Sequence, residues 1–219
     1  MPQDETSPDL ATALAKFQIE LSEEQRETLK RYVDALWDWN QRINLTRHTD
    51  YDRFVARDVV DARMLAEQLA HGEEVLDVGS GGGAPGIIVA LLRPDLQLAM
   101  CESVGKKAQA LAEITKAAGL PIPVYHDRAE TILEDFRFDT LTLRAVGPMA
   151  KLLKWFEPHW SAFVRLLLIK GPKWVEERSA ARHLGLMNEL QLRRISSYNT
   201  PGNDVESVIL EIRRKPAGK

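Results

Sequence analysis

The feature that most constrains this chain is Val75-Leu76-Asp77-Val78-Gly79-Ser80-Gly81-Gly82-Gly83-Ala84-Pro85-Gly86, which leads directly into the apolar run Ile87–Leu92. Glycines admit positive φ and present no Cβ, so the chain can turn sharply and a ligand can lie against its backbone. Pro85 suits the first turn of a helix. The segment predicts a buried strand, a tight turn and a helix. In open α/β sheets, ligands bind outside the carboxyl ends of the strands, at such turns. A turn with no ligand is the plainer reading, and three consecutive glycines in an otherwise helix-forming region argue against it.

The remainder of the second block alternates in the same way. Strands are expected at Glu74–Val78, Gln97–Cys101, Ile122–His126, Phe138–Leu143 and Val164–Ile169. Helices are expected through Ile87–Leu92, from Ser103 to Ala118 with a stop at Gly119, around Met149–Phe156 and through Trp174–Leu186. Two β-like segments, Leu190–Tyr198 and Ser207–Arg213, close the chain around the turn-rich Asn199–Asp204. This pattern predicts an α/β fold with a seven-stranded, mostly parallel sheet and an antiparallel edge hairpin.

The first block reads as helical. Ser22 and Gln25 have the spacing of a capping box. Leu29, Tyr32, Val33, Leu36, Trp37 and Ile43 form one apolar stripe over about four turns. A shorter helix is expected through Leu10, Leu14 and Phe17. Asp50 would cap another that holds Phe54, Val55, Val59, Ala62, Leu65 and Leu69. Amphipathic helices must bury their stripes. Residues 1–70 are therefore expected as a helical extension packed on a core of residues 71–219.

Cys101 is the only cysteine of the 219 residues, which excludes an intramolecular disulfide and a structural zinc site built on cysteines. It fits a reducing, cytoplasmic setting. The acidic start Met1–Glu5, with no apolar stretch behind it, predicts no signal peptide. The longest nearly apolar run, Gly86–Leu92, is far below the ~20 residues needed to span a bilayer. Residues 142–219 hold 14 Lys and Arg against 7 Asp and Glu, a local +7 within a chain of net charge −3. That asymmetry suggests a phosphate-rich partner, the plain alternative being an unevenly charged solvated surface.

Two ligands fit the glycine turn. Gly81-x-Gly83-x-x-Gly86 matches the dinucleotide fingerprint, in which a pyrophosphate rests on a helix N-terminus. Gly79-x-Gly81-x-Gly83 with Asp77 just before it fits S-adenosylmethionine, whose sulfonium and amino acid replace the phosphates. An acid at the strand end suits a cation and repels a pyrophosphate, which favours the methyl donor. Glu102, about 20 residues after the turn, would meet ribose hydroxyls. Asp127-Arg128-Ala129-Glu130 ends the third strand in line with the same crevice. Arg144 and the Lys170–Lys173 segment end the fourth and fifth strands, where a substrate phosphate or base would come. The five histidines show no metal-ligand spacing, and no G-x-S-x-G elbow is present.

With these residues placed, the chain resembles the bacterial small-subunit (16S) ribosomal RNA guanine-N7 methyltransferases, also called glucose-inhibited division protein B. The resemblance runs from about Trp39 to the C-terminus. It rests on Trp39-Asn40-Gln41-Arg42-Ile43-Asn44-Leu45-Thr46, the glycine turn with Ala84-Pro85-Gly86, Glu102–Lys107, Arg128-Ala129-Glu130, Arg144-Ala145 and Lys170-Gly171. It implies a Rossmann-like class I fold and an S-adenosylmethionine cofactor. Gly79, Ala84, Ala129, Glu130 and Arg144 are the implied donor contacts, with Asp77, Gly81, Gly83 and Glu102 in the same pocket. Ribosomal RNA or the small subunit would be the partner of a monomeric, membrane-free enzyme. The family carries Arg-His and then Asp-Ser where this chain reads Arg57-Asp58-Val59-Val60-Asp61-Ala62, and a bulkier residue where Ala84 stands.

Guanine N7 already holds an in-plane lone pair, so its methylation needs alignment rather than a base. Arg144 is the candidate for orienting donor or acceptor. Asn44 and Asp61 would line the acceptor site, and Lys170 and Lys173 would meet RNA phosphates. A methyltransferase acting on another RNA, a protein or a small molecule remains open. So do a dinucleotide-dependent oxidoreductase and an RNA-binding module without turnover.

Overall fold

The structure is a computed structural model that describes residues 6–200 and 205–216. Met1–Glu5 and the Pro201–Asp204 part of the expected turn lie outside the described residues. Helix α1 (Leu10–Lys16) is capped by Asp9, whose carboxylate accepts from the Thr12 amide at 2.7 Å. Helix α2 (Glu23–Asn40) opens with the expected capping box: Ser22 Oγ accepts from Gln25 N at 3.2 Å, and Gln25 Oε1 from Ser22 N at 3.0 Å. It stops short of Ile43. Asn40 Oδ1 accepts from the amides of Leu45 and Thr46 at 2.8 and 2.9 Å, which folds the chain out of the helix.

The helix expected after Asp50 is three joined pieces, namely α3 (Tyr51–Arg53), a π-helical turn (Phe54–Val59) and α4 (Val60–Ala66). A π turn inserts a residue and widens the helix. Asp58 and Asp61 both face inward among Phe54, Val55, Val59 and Ala62. These helices share one hydrophobic cluster with the sheet, in which Leu29, Tyr32 and Leu36 join Ile88, Leu111 and Ile114.

The second block gives β1 (Glu74–Val78), α5 (Gly86–Leu92), β2 (Gln97–Cys101), α6 (Gly105–Ala118) and β3 (Val124–Tyr125). It continues with α7 (Ala129–Asp135), β4 (Phe138–Arg144), α8 (Met149–Phe156), β5 (Phe163–Lys170), α9 (Trp174–His183), β6 (Leu190–Asn199) and β7 (Glu206–Arg214). β3 is shorter than expected because Pro121 and Pro123 have no N–H to give a ladder. α9 ends before Leu186, at a turn where Gly185 takes φ +74°.

Among the described residues, seven strands form one sheet in the order β3-β2-β1-β4-β5-β7-β6. β1 to β5 run parallel, and β7 and β6 close the edge antiparallel. Alternation along each strand feeds two cores. Val75, Met100 and Leu167 face α1–α6, whereas Leu76, Cys101 and Leu168 face α7–α9. The order reverses between β1 and its neighbours β2 and β4, which places the crevice of a doubly wound sheet at the carboxyl ends of these strands. No helix among the described residues is long and apolar enough to cross a membrane.

The opposite end of the sheet is closed by Arg165 on β5. Its guanidinium donates to Glu73 at 2.9 Å, to Glu211 at 3.1 Å and to the Gln68 carbonyl at 2.9 Å. Glu73 also accepts from Ala70 N and from the Thr140 hydroxyl. Removing one partner of a buried pair leaves the others uncompensated. Arg165→Ala should lower stability in urea unfolding by about 3–5 kcal/mol. A loss below about 1 kcal/mol, the range of an exposed pair, would show that water screens this cluster.

Candidate functional site

The glycine turn is built from its own backbone. The amides of Gly79 and Ser80 both donate to the Cys101 carbonyl, at 2.9 and 3.1 Å, and Gly83 N donates to Ser80 O at 2.7 Å. Gly79 sits at φ +68°, and a Cβ there would stand 3.0 Å from the Val146 side chain. Gly83 sits at φ +99°, and a Cβ there would collide with Ile87. Fold and packing thus require these two glycines before any ligand does.

Two cavities meet at Gly79. One, of about 240 Å³, is walled by Cys101, Asp127, Ala129, Glu130, Val146 and Trp155. The other, of about 200 Å³, is walled by Tyr32, Thr46, Asp58, Glu102, Lys107 and Arg144, with Gly81 and Ala84 in its floor. Together they fall within the ~300–1,000 Å³ usual for small-molecule sites. Ala145, at φ +59°, and Val146 follow Arg144 and wall one cavity each.

Of the sequence-based candidates, Gly79, Gly81, Ala84, Glu102, Ala129, Glu130 and Arg144 line these cavities, and the others do not. Gly83 lies beneath the turn against Ile87. Asn44 is exposed, and its neighbours Leu45 and Thr46 line the cavity in its place. Asp61 is buried behind Arg144. Lys170 turns inward: its Nζ donates to the Gly147 carbonyl at 2.6 Å and to Glu177 at 2.8 Å. Glu177 also accepts from Met149 N, so this lysine holds the loop after β4 and is not presented to a phosphate. Lys173 is exposed beside α9 and lines neither cavity.

Asp77 differs most from its expected role. It is fully enclosed, with Oδ1 accepting from the Thr142 hydroxyl at 2.8 Å. Oδ2 lies against the Gly86 backbone at the start of α5 without a completed hydrogen bond. Burial pushes its carboxyl up to about 6, against the opposing effects of Ser80, Thr142 and Arg144. It acts on the turn from beneath and does not face a ligand. Glu102 lines the cavity, but its oxygens also accept from Gly81 N at 3.2 Å and Val104 N at 2.9 Å.

Arg144 is the centre of the site's polar structure. Nη2 donates to Asp58 Oδ1 at 2.5 Å and Nη1 to Asp61 Oδ2 at 3.1 Å, with both acids almost fully buried. Asp58 Oδ2 meets His48 Nδ1 at 2.8 Å, and Asp61 Oδ1 accepts from the Tyr198 hydroxyl at 2.7 Å. Burial works to raise the Asp58 carboxyl, yet the guanidinium and His48 outweigh it and hold it below the ordinary value. Burial likewise opposes the charge on Arg144, and the two acids more than restore it. Burial pushes the Cys101 thiol up to about 12, which removes it as a nucleophile. Asp58, His48, Tyr32 and Tyr198 escaped the sequence reading. The available signal was two acids three residues apart among the buried apolar positions of one helix.

The family model for rRNA small subunit methyltransferase G matches residues 25–205. A ribosomal RNA small subunit methyltransferase G of Rhodopirellula baltica is 53% identical over 190 residues, covering 87% of this chain and 82% of its own. One from Chromobacterium violaceum is 41% identical over 147 residues, covering 67% and 70%. Among solved structures, TrmK of M. capricolum in complex with S-adenosyl-homocysteine superposes with a TM-score of 0.56 at 12% identity, covering 73% of this chain and 70% of that one. A ribosomal protein L11 methylase of Lactobacillus delbrueckii subsp. bulgaricus gives 0.54 at 16%, covering 72% and 79%. These two likenesses speak for the fold alone.

The Asp77 carboxyl yields a pH test. Its folded pKa, raised to about 6, means that the folded chain keeps a proton which the unfolded chain releases near pH 4. The Asp77 contribution to stability should therefore fall by roughly 3 kcal/mol as pH rises from 4 to 6 and level off above, against the opposite trend of carboxyls held low, such as Asp58. Asp77→Asn should lose that component. Chemical denaturation of both proteins at pH 4.5 and 7 checks this, and equal pH slopes would place the titration elsewhere.

Proposed function

The chain belongs to the rRNA small subunit methyltransferase G family, and on that premise we propose that it transfers a methyl group from S-adenosylmethionine to N7 of a guanine in 16S ribosomal RNA. It is an S-adenosylmethionine-dependent RNA methyltransferase with a Rossmann-like fold. We read residues 71–219 as the methyltransferase core and residues 1–70 as an extension that completes the site, because Asp58, Tyr32 and Thr46 come from it. The enzyme acts as a monomer on ribosomal RNA in the cytoplasm.

The observation that carries the reading is the pair of cavities joined at Gly79, with two acids in the wall of the second. Asp58 and Glu102 in its wall balance Arg144 and Lys107, and Asp61 behind Arg144 adds one further negative charge. This suits a sulfonium and an ammonium. A pyrophosphate fits poorly. The N-terminus of α5, where it would rest, is faced from beneath by Asp77. Ala129, Glu130, Val146 and Trp155 would hold the adenine, Glu102 the ribose hydroxyls, and the glycine turn the cationic end.

When bound, the donor supplies a methyl group on a positively charged sulfur, open to attack by a soft nucleophile. Guanine N7 brings its own lone pair, so the protein needs to exclude water and align the two partners. Alignment supplies up to ~7–11 kcal/mol in favourable cases. Asp58 is already engaged at both oxygens, which suits positioning and leaves no free base. Arg144 makes one bond to each acid, so other N–H groups of its fork remain for an acceptor on the base or donor. Lys173 and the exposed Arg47, Lys106 and Arg128 would meet phosphates of the RNA.

Two measurements test this reading. Labelled donor incubated with small subunits and with naked 16S RNA should place the label in RNA, and borohydride–aniline treatment should cut the chain at one guanine. Label in protein, or at a base resistant to cleavage, would overturn the assignment. Arg144→Lys keeps a cation between the two acids but loses the planar fork. It should lower kcat about 100-fold with donor affinity within a few-fold. Undiminished turnover would remove Arg144 from the reaction site.

A further inference from the structure

The guanidinium of Arg144 is not gripped in the two-bond manner of a single carboxylate. It makes one bond to each of two acids carried on the π turn and the first turn of α4. Its plane therefore depends on where both carboxylates point. Each carboxylate is fixed in turn by a group from outside its own helix. His48 Nδ1 takes the second oxygen of Asp58, and the Tyr198 hydroxyl, on edge strand β6, takes the second oxygen of Asp61. The side chains of Asp58 and Asp61 are each 2% exposed, so water has little access to replace either partner.

The two outer groups are themselves anchored. The loop carrying His48 is tied down by Trp37 Nε1, which donates to the His48 carbonyl at 2.9 Å, and by His48 N, which donates to Thr46 Oγ1 at 3.0 Å. The end of β6 is tied by Arg57, whose Nη1 donates to Thr200 Oγ1 at 2.6 Å. An ionised carboxylate only accepts, so Nδ1 of His48 must carry the proton that meets Asp58. Burial and the Asp61 carboxylate push the Tyr198 hydroxyl well up, so it remains a donor.

We propose that His48 and Tyr198 are positioning residues for methyl transfer: they lock Asp58 and Asp61, and through them the plane of the Arg144 fork at the cavity. Neither lines the cavity. Their effect on the reaction passes entirely through Arg144. The proposal rests on the reading of Arg144 as a group of the reaction site.

A double-mutant comparison tests it on the full chain with small subunits or 16S RNA as substrate. Tyr198→Phe removes one hydroxyl and keeps the ring. His48→Ala removes the imidazole, and His48→Asn restores a donor near the Nδ1 position. Tyr198→Phe and His48→Ala should each lower kcat about tenfold, with KM for RNA and donor affinity within about twofold. His48→Asn should recover most of the loss. In an Arg144→Lys background, neither substitution should lower kcat further, because the fork they orient is gone. Normal kcat in both variants, beside an impaired Arg144→Lys, would overturn this proposal and leave the role of Arg144 standing. Losses that multiply in the Arg144→Lys background would also overturn it, by placing the two residues' effect elsewhere. An unimpaired Arg144→Lys would remove the reading of Arg144 and this proposal with it.

Discussion

Arg144 at the carboxyl end of β4 shares its guanidinium between Asp58 and Asp61, and this ion cluster fastens the helical layer to the catalytic end of the sheet. Both acids are buried among apolar residues, a placement that is costly without a cation and additional hydrogen bonds. The cluster supplies them through Arg144, His48 and Tyr198. It thereby fixes where the π turn sits, which edge strand it meets and how the second cavity is walled. A Rossmann-like sheet without residues 6–70 would keep its glycine turn but lose Tyr32, Thr46 and Asp58 from the site.

The same cluster settles the character of the site. An arginine at a strand end reads as a cation awaiting a phosphate. Surrounded by two carboxylates, it carries no surplus charge outward. Asp77 adds to this selectivity indirectly, because its buried carboxyl faces the start of α5 where a pyrophosphate would otherwise rest. On the proposed reading, preference for a cationic donor rests on Glu102 in the cavity wall and on Asp77 beneath α5. On the same reading, RNA phosphates are left to exposed cations such as Lys173 and Arg47.

Much of the fold was legible because its signals are local. β1, β2 and α8 follow their apolar runs residue for residue, and the Ser22–Gln25 box and the caps at Asp50 and Gly119 act where they stand. Errors arose where a distant or special contact decides. Asn40 ends α2 through its side chain, two prolines shorten β3, and the π turn interrupts a helix whose apolar spacing looked continuous. The cavity-lining Gly79, Gly81, Glu102, Ala129 and Glu130 were legible for the same reason, since they end consecutive strands. The cluster around Arg144 was not. Asp58, His48 and Tyr198 meet only through tertiary packing, and Lys170 has its charge turned inward by Glu177, a partner seven residues away.

The site is a joint between two layers, closed by one ion cluster. Native-state hydrogen exchange on Arg144→Met tests that claim most directly, because methionine keeps much of the side chain's length and removes its charge. Exchange should become faster at the amides of residues 54–62 and 195–200, with β1, β4 and β5 protected as before. Unchanged protection in residues 54–62 would contradict it, and would mean that apolar packing alone docks the helical layer onto the sheet.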